Sequence, residues 1–238
     1  MPRRARRILE SGYLHLIVQG INRECIFERG SNIKRYYDLL VSKREESEVD
    51  ILAYCIMSNH AHILVYADKI ENVSRYMKKV NTAYATYYNK QTNRVGYVFR
   101  DRYKSKAVKD EWYLYNCISY IHYNPVKAGM VNEPSEYKYS SFNDFYSKTG
   151  VVSNKTLKLI FGGIKHYKEM FDFIHSIDVN DADMEKKDNG ENYLCDIDIS
   201  DKEKLKEECI KLKQKNMSNR KIALMIGIDR NKVDRILK

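Results

Sequence analysis

Two pairs of residues in this chain of 238 residues could do chemistry: His60 and His62, two apart, and Tyr120 and Asn124, four apart. The first pair lies in Cys55-Ile56-Met57-Ser58-Asn59-His60-Ala61-His62-Ile63-Leu64-Val65, which reads as a strand. Side chains alternate faces along a strand, so both imidazoles point the same way and can reach one divalent cation. The second pair lies in Tyr120-Ile121-His122-Tyr123-Asn124-Pro125-Val126-Lys127-Ala128-Gly129. A spacing of four on a helix puts phenol and amide on one face, one turn apart. Brought together, the two pairs would set a metal-held phosphodiester beside a tyrosine nucleophile. On its own a His-x-His strand is more often a matter of packing or hydrogen bonding than of metal ligation. Among twenty tyrosines, Tyr113, Tyr115 and Tyr123 rival Tyr120.

The elements that must position these pairs are legible from periodicity. Residues 13–19 read as a first strand, residues 31–48 as a helix and residues 50–57 as a second strand. Ser58-Asn59 suits a two-residue turn, which makes the strand starting at His60 antiparallel to the one before it. Residues 71–92 predict a long helix, with Val73, Met77, Val80 and Tyr84 at helical spacing. Short strands follow around 97–99 and 105–108. Asp110 is an N-cap for the next helix, in which Leu114, Cys117, Ile118 and Ile121 form the buried stripe. Tyr120 and Asn124 fall on the flank of that stripe, and Pro125 is expected to close the helix. His15 reads as a packing or DNA-contact residue, Asn59 as a turn former, and His122 as too far around the helix to be a ligand. The mixture of strands and helices predicts an α+β fold, an antiparallel sheet with helices on one face.

Three motifs in order, Asn59-His60-Ala61-His62, then Gly96-Tyr97-Val98-Phe99-Arg100-Asp101-Arg102-Tyr103-Lys104-Ser105, then Tyr120 to Gly129, resemble the single-tyrosine HUH transposases of the insertion sequence 200-like and REP-associated kinds. The resemblance covers roughly residues 12 to 145. It implies a ferredoxin-like HUH nuclease core with Tyr120 as nucleophile. It also implies His60, His62 and Asn124 as ligands of Mg2+ or Mn2+; Asn124 is a methylene shorter than the glutamine many members carry. Attack would leave a 5′-phosphotyrosine and a free 3′-hydroxyl. The covalent link retains the bond energy, so strand transfer needs no nucleotide cofactor, and the sequence has no GxxxxGK[ST] loop. The implied substrate is single-stranded DNA near hairpins, handled by a homodimer or by a form that acts alone. Two other functions fit the same residues: a domesticated relative that only binds DNA, and a replication or transfer nickase of related chemistry.

A net charge of +10 points to a polyanionic partner, and its placement says more than its total. Residues 69–109 hold eleven Lys and Arg against Glu71 and Asp101. Residues 177–201 hold nine Asp and Glu against Lys186 and Lys187, and residues 211–238 hold nine Lys and Arg against Asp229 and Asp234. The alternative is the overall lysine richness of an AT-rich genome. Arg75, Lys78, Lys79, Arg94, Arg100, Arg102, Lys104 and Lys106, interleaved with Tyr76, Tyr87, Tyr97, Phe99 and Tyr103, suit a DNA surface on which cations track phosphates and rings stack on bases. About half of those rings are expected in the core.

The expected organisation is a catalytic domain over 1–147, a helical extension over 148–176, an acidic linker over 177–200 and a small all-α module over 201–238. That last stretch resembles helix-turn-helix modules, with Arg230, Asn231 and Arg235 facing duplex DNA. A basic helical bundle is the alternative. The five cysteines are scattered without a CxxC pair, which suits a reducing compartment. No stretch approaches membrane-spanning length, so a cytoplasmic protein is expected.

Overall fold

The computed structural model describes residues 12–162, 167–176, 202–214, 219, 222–223 and 230–237. The basic start, the acidic linker and the turn around Gly227 lie outside the described residues. The chain divides into two compact units, Met1–Asp178 and Val179–Lys238.

The first unit is built on a four-stranded antiparallel sheet in the order β2-β3-β1-β4. Its strands are β1 (Tyr13–Gln19), β2 (Asp50–Ile56), β3 (His60–Tyr66) and β4 (Lys104–Ala107). Two helices, α1 (Gly30–Arg44) and α2 (Ile70–Thr92), complete the ferredoxin-like β-α-β-β-α-β order. β2 and β3 form the expected hairpin around Ser58-Asn59, closed by the Met57 N–H donating to the His60 carbonyl at 2.8 Å.

β2 and β3 are buried along nearly their whole length, so both faces of the sheet must be covered. That requirement overturns the expectation of helices on one face. α1 covers one side, where its Tyr37 ring lies 5.3 Å from Tyr54 of β2, and α2 packs on α1. On the other side lies α3 (Glu111–Lys127), whose Leu114, Cys117, Ile118 and Ile121 are buried as the periodicity predicts. Residues 148–162 and 167–176 pack on this side within the first unit. They include α5 (Asn154–Phe161) and α6 (Tyr167–His175), with α4 (Phe142–Ser147) just before them. Phe161 stacks on Tyr115 of α3, and Tyr13 of β1 donates to the Leu159 carbonyl.

Two expected boundaries differ. Residues 97–99 form no strand; Phe99 makes only a single bridge to Gly20. α3 starts where the cap predicts, Asp110 accepting from the Tyr113 N–H, but runs through Pro125 to Lys127. Proline removes one N–H, and the turn survives because the Ala128 N–H still reaches the Asn124 carbonyl. Gly129, at φ +65°, ends the helix instead.

In the second unit, α7 (Lys202–Gln214), residues 222–223 and α8 (Arg230–Ile236) are helical. Leu205, Cys209, Ile222, Ala223 and Val233 form a buried cluster that Ile236 and Leu237 flank. Among the described residues no helix is long and apolar enough to cross a membrane.

Candidate active site

The register of the sheet sets the site. Ile17 is paired with His62 and Gln19 with His60 across β1 and β3; Lys104 is paired with Ile17 and Lys106 with His15 across β1 and β4. Residues directly opposite in an antiparallel pair share a face. His15, Gln19, His60, His62, Lys104 and Lys106 therefore stand on one face, the one that α3 covers. The His60 and His62 ring centroids are 5.0 Å apart, and those of His62 and His15 are 5.1 Å apart.

Each histidine of the pair is held by its Nδ1. His60 Nδ1 lies 2.6 Å from Asn59 Oδ1, and the same amide donates its nitrogen to the Arg23 carbonyl, which orients the oxygen towards the ring. His62 Nδ1 lies 3.0 Å from His15 Nε2. The segment that closes over the hairpin turn is itself fixed: the Gly20 and Phe27 N–H groups donate to the Asn59 and Ser58 carbonyls. Gly20 has no room for a side chain, since a Cβ there would meet the Glu24 carbonyl oxygen at 2.4 Å. Burial pulls all three imidazoles down from their ordinary value, His15 to about 3 with the Lys106 charge adding to the effect, and His62 well below with His15 and His60 adding. They are neutral near pH 7, the state in which imidazole ligates a metal.

A cleft of about 230 Å³ opens beside the pair, lined by Ile17, Gln19, His60, His62, Arg100, Asp101, Arg102 and Lys104. The loop of the second motif, Gly96 to Ser105, reaches it because its backbone is tied to the end of β1. The Arg100 N–H donates to the Gln19 carbonyl, and the Ile21 N–H to the Val98 carbonyl. Val98 and Tyr103 are buried as anchors, whereas Tyr97 is 85% exposed.

Tyr120 is half-buried, its ring centroid 5.5 Å from that of His62 and 6.0 Å from that of His15, both edge-on. Lys127 Nζ sits 5.0 Å from the centre of the same ring. Asn124 donates its amide nitrogen to the Tyr120 carbonyl at 2.8 Å, which leaves the amide oxygen as the atom that could ligate. Among the described residues no group of three or more His, Cys, Asp and Glu side chains converges as a metal cage. Two imidazole Nε2 atoms, joined by the Asn124 amide oxygen if it reaches them, would be the donor set for a cation here, leaving positions for phosphate and water. That set suits Mg2+ or Mn2+ in use and would also accept softer metals.

The structure thus brings His60, His62, Tyr120, Arg100, Arg102 and Lys104 together, with Lys106 on the same face. It does not bring in Arg75, Lys78 or Lys79 on α2, where Lys79 pairs with Glu46, nor Arg94, which pairs with Glu24. Asn231 and Arg235 are exposed on α8 in the other unit; of Arg230 only the helical backbone is described. Of the expected ring set, Tyr76 and Tyr103 are core. Sequence reasoning missed the contacts of three residues. Asn59 and His15 hold the imidazoles, and Lys127 lies two helical turns beyond Tyr120, a spacing that could have revealed it.

Residues 9–124 match the family model described as "Transposase IS200 like". A Haemophilus influenzae protein that bears the name REP-associated tyrosine transposase is 28% identical over 109 residues, which span 42% of this chain and 62% of that protein. A solved REP-associated tyrosine transposase bound to a REP hairpin has the same fold, with a TM-score of 0.53 at 16% identity, covering 62% of this chain and 87% of that one. Over residues 9–124, which hold the sheet, the paired histidines and Tyr120, this chain is similar to the IS200-like transposase family.

Proposed function

We propose that the protein is a transposase that cleaves and rejoins single-stranded DNA beside hairpins, with Tyr120 as nucleophile. The observation that carries this reading is the Tyr120 ring packed edge-on against His62, next to a basic cleft that His60 and His62 line. His60, His62 and the Asn124 oxygen would hold a divalent cation. When bound, that cation neutralises charge on the non-bridging phosphate oxygens and favours loss of the phenolic proton. Arg100, Arg102 and Lys104 hold the flanking phosphates, and exposed Tyr97 offers a ring for an unpaired base. A phenol ordinarily titrates near pH 10, so Tyr120 needs a neighbouring charge to react near neutrality, and the Lys127 ammonium supplies part of it.

The Tyr120 oxygen attacks phosphorus and the 3′-oxygen leaves with a proton, giving a 5′-phosphotyrosine and a 3′-hydroxyl. Attack by a 3′-hydroxyl on that link restores a phosphodiester and frees Tyr120. Arg75, Lys78, Lys79 and Arg94 act through the positive field outside the cleft. α8, with Arg230, Asn231 and Arg235, serves as a duplex reader. The likeness to a solved chain bound to a REP hairpin supports the choice of substrate.

The test is to incubate the protein with hairpin-bearing single strands and Mn2+ and resolve it on a denaturing gel. A protein–DNA adduct that Tyr120→Phe abolishes is expected. An adduct that survives Tyr120→Phe, or none on any hairpin strand, contradicts the reading.

A further inference from the structure

His15 is the residue the proposed chemistry leaves unused, and its surroundings are unusual. It is 2% exposed on β1, its Nε2 lies 3.0 Å from His62 Nδ1, and among the described residues its own Nδ1 has no hydrogen-bond partner. Two ring nitrogens at that distance hold one proton between them. If the proton sits on His15 Nε2, His62 must carry its own proton on Nε2, where it blocks coordination. If it sits on His62 Nδ1, His62 Nε2 bears a lone pair. At His60 the matching choice is already made, because Asn59 Oδ1 can only accept.

We propose that His15 is the positioning residue for His62: its Nε2 accepts the His62 Nδ1 proton and so presents a lone pair on His62 Nε2 to the cleft. The two ligands would then be held alike, each through Nδ1, by acceptors from different parts of the chain. Asn59 comes from the hairpin turn itself; His15 comes from a strand 47 residues earlier. Outer partners of metal-bound histidines set both the tautomer and the ring orientation in this way. His15 touches no reacting atom in this account. The inference rests on the cation reading above, and its test separates the two.

Long-range 1H–15N correlation spectra of the metal-free protein report which nitrogen of His62 is protonated. Nδ1 protonation in the wild type is expected; Nε2 protonation overturns the proposal. Mn2+ titration followed by electron paramagnetic resonance then compares three chains. Relative to wild type, His15→Phe, which keeps a ring but no acceptor, is expected to weaken Mn2+ binding by roughly 10- to 100-fold. His15→Gln, whose amide oxygen can stand where Nε2 stood, is expected to remain within about threefold, since only the acceptor matters. Mn2+ affinity insensitive to His15→Phe overturns the positioning role. A wild-type chain that takes up no Mn2+ overturns the cation reading instead. The tautomer measurement needs neither metal nor variant, so it decides the role of His15 even where His15→Phe fails to fold.

Discussion

Among the described residues the first unit contains two buried histidine pairs, and they differ in how they end. His122 and His175 meet through Nδ1 and Nε2 at 2.9 Å, much as His62 and His15 meet at 3.0 Å. The first pair is closed at both ends. His175 Nδ1 donates to the Phe171 carbonyl at 2.8 Å, and His122 Nε2 accepts from Ser141 Oγ at 2.9 Å. Ser141 Oγ in turn accepts the Tyr54 N–H of β2 at 2.9 Å. Every nitrogen is satisfied in one direction, so this chain of hydrogen bonds ties α6, α3 and β2 together and has nothing left to offer a ligand. The second pair has an orphan nitrogen at one end and the cleft at the other. Similar contacts and similar burial therefore mark a structural tie in one place and a candidate reactive centre in the other. The difference is whether valences are left open.

The largest effect should come from His62 of the open pair and its neighbour His60. His60→Ala or His62→Ala is expected to cut adduct formation on hairpin strands by at least about 100-fold, since each would remove a proposed ligand. Circular dichroism should still show a folded chain. The closed pair should behave in reverse. His122→Leu takes the partner from His175 Nε2 and one of the contacts from Ser141 Oγ inside the core, and urea denaturation should show a loss of about 3 kcal/mol. Cleavage at low temperature should stay within about twofold of wild type if the pair is purely structural. A variant that loses cleavage without losing stability would erase the distinction.

A smaller effect concerns pH. Burial holds His175 down to about 4, below the ordinary histidine value, and burial also lowers His122. The unfolded chain thus takes up protons that the folded chain refuses. This contribution is complete above about pH 6.5 and is lost as pH falls from there towards 4. Asp144 opposes it over part of that window, because burial raises its carboxyl to about 6 and the folded chain is then the better proton binder. The difference between wild type and His175→Gln isolates the histidine. Its loss on acidification from pH 7 to 4 should be on the order of 2 kcal/mol larger in wild type. The smallest effect is expected at the rim of the open pair. Arg102→Gln and Lys104→Gln should each lower the salt dependence of single-strand binding by about one counterion, whereas Lys34→Gln, remote from the cleft, should not.

Much of the frame was legible in the sequence because it is written in local periodicity. The β2–β3 hairpin, the cap at Asp110 and the stripe of α3 each depend on neighbours within a few residues. The approach of Tyr120 to His62 was legible only as a spacing rule, since the helix had to be laid on the right face of the sheet. What stayed hidden depends on long-range register. His15 meets His62 because β1 pairs with β3 so that Gln19 opposes His60, and strand alternation alone cannot supply that pairing. The passage of α3 through Pro125 was missed because a proline in the last turn costs one hydrogen bond, which the Gly129 terminus outlasts.

Anomalous diffraction from crystals grown with Mn2+ tests the centre of this account most directly. The expected result is one strong peak within coordination distance of Nε2 of both His60 and His62, with the Tyr120 hydroxyl facing a phosphate bound there. Manganese held by only one of these rings or bound elsewhere, or a Tyr120 hydroxyl turned away from the peak, would contradict it.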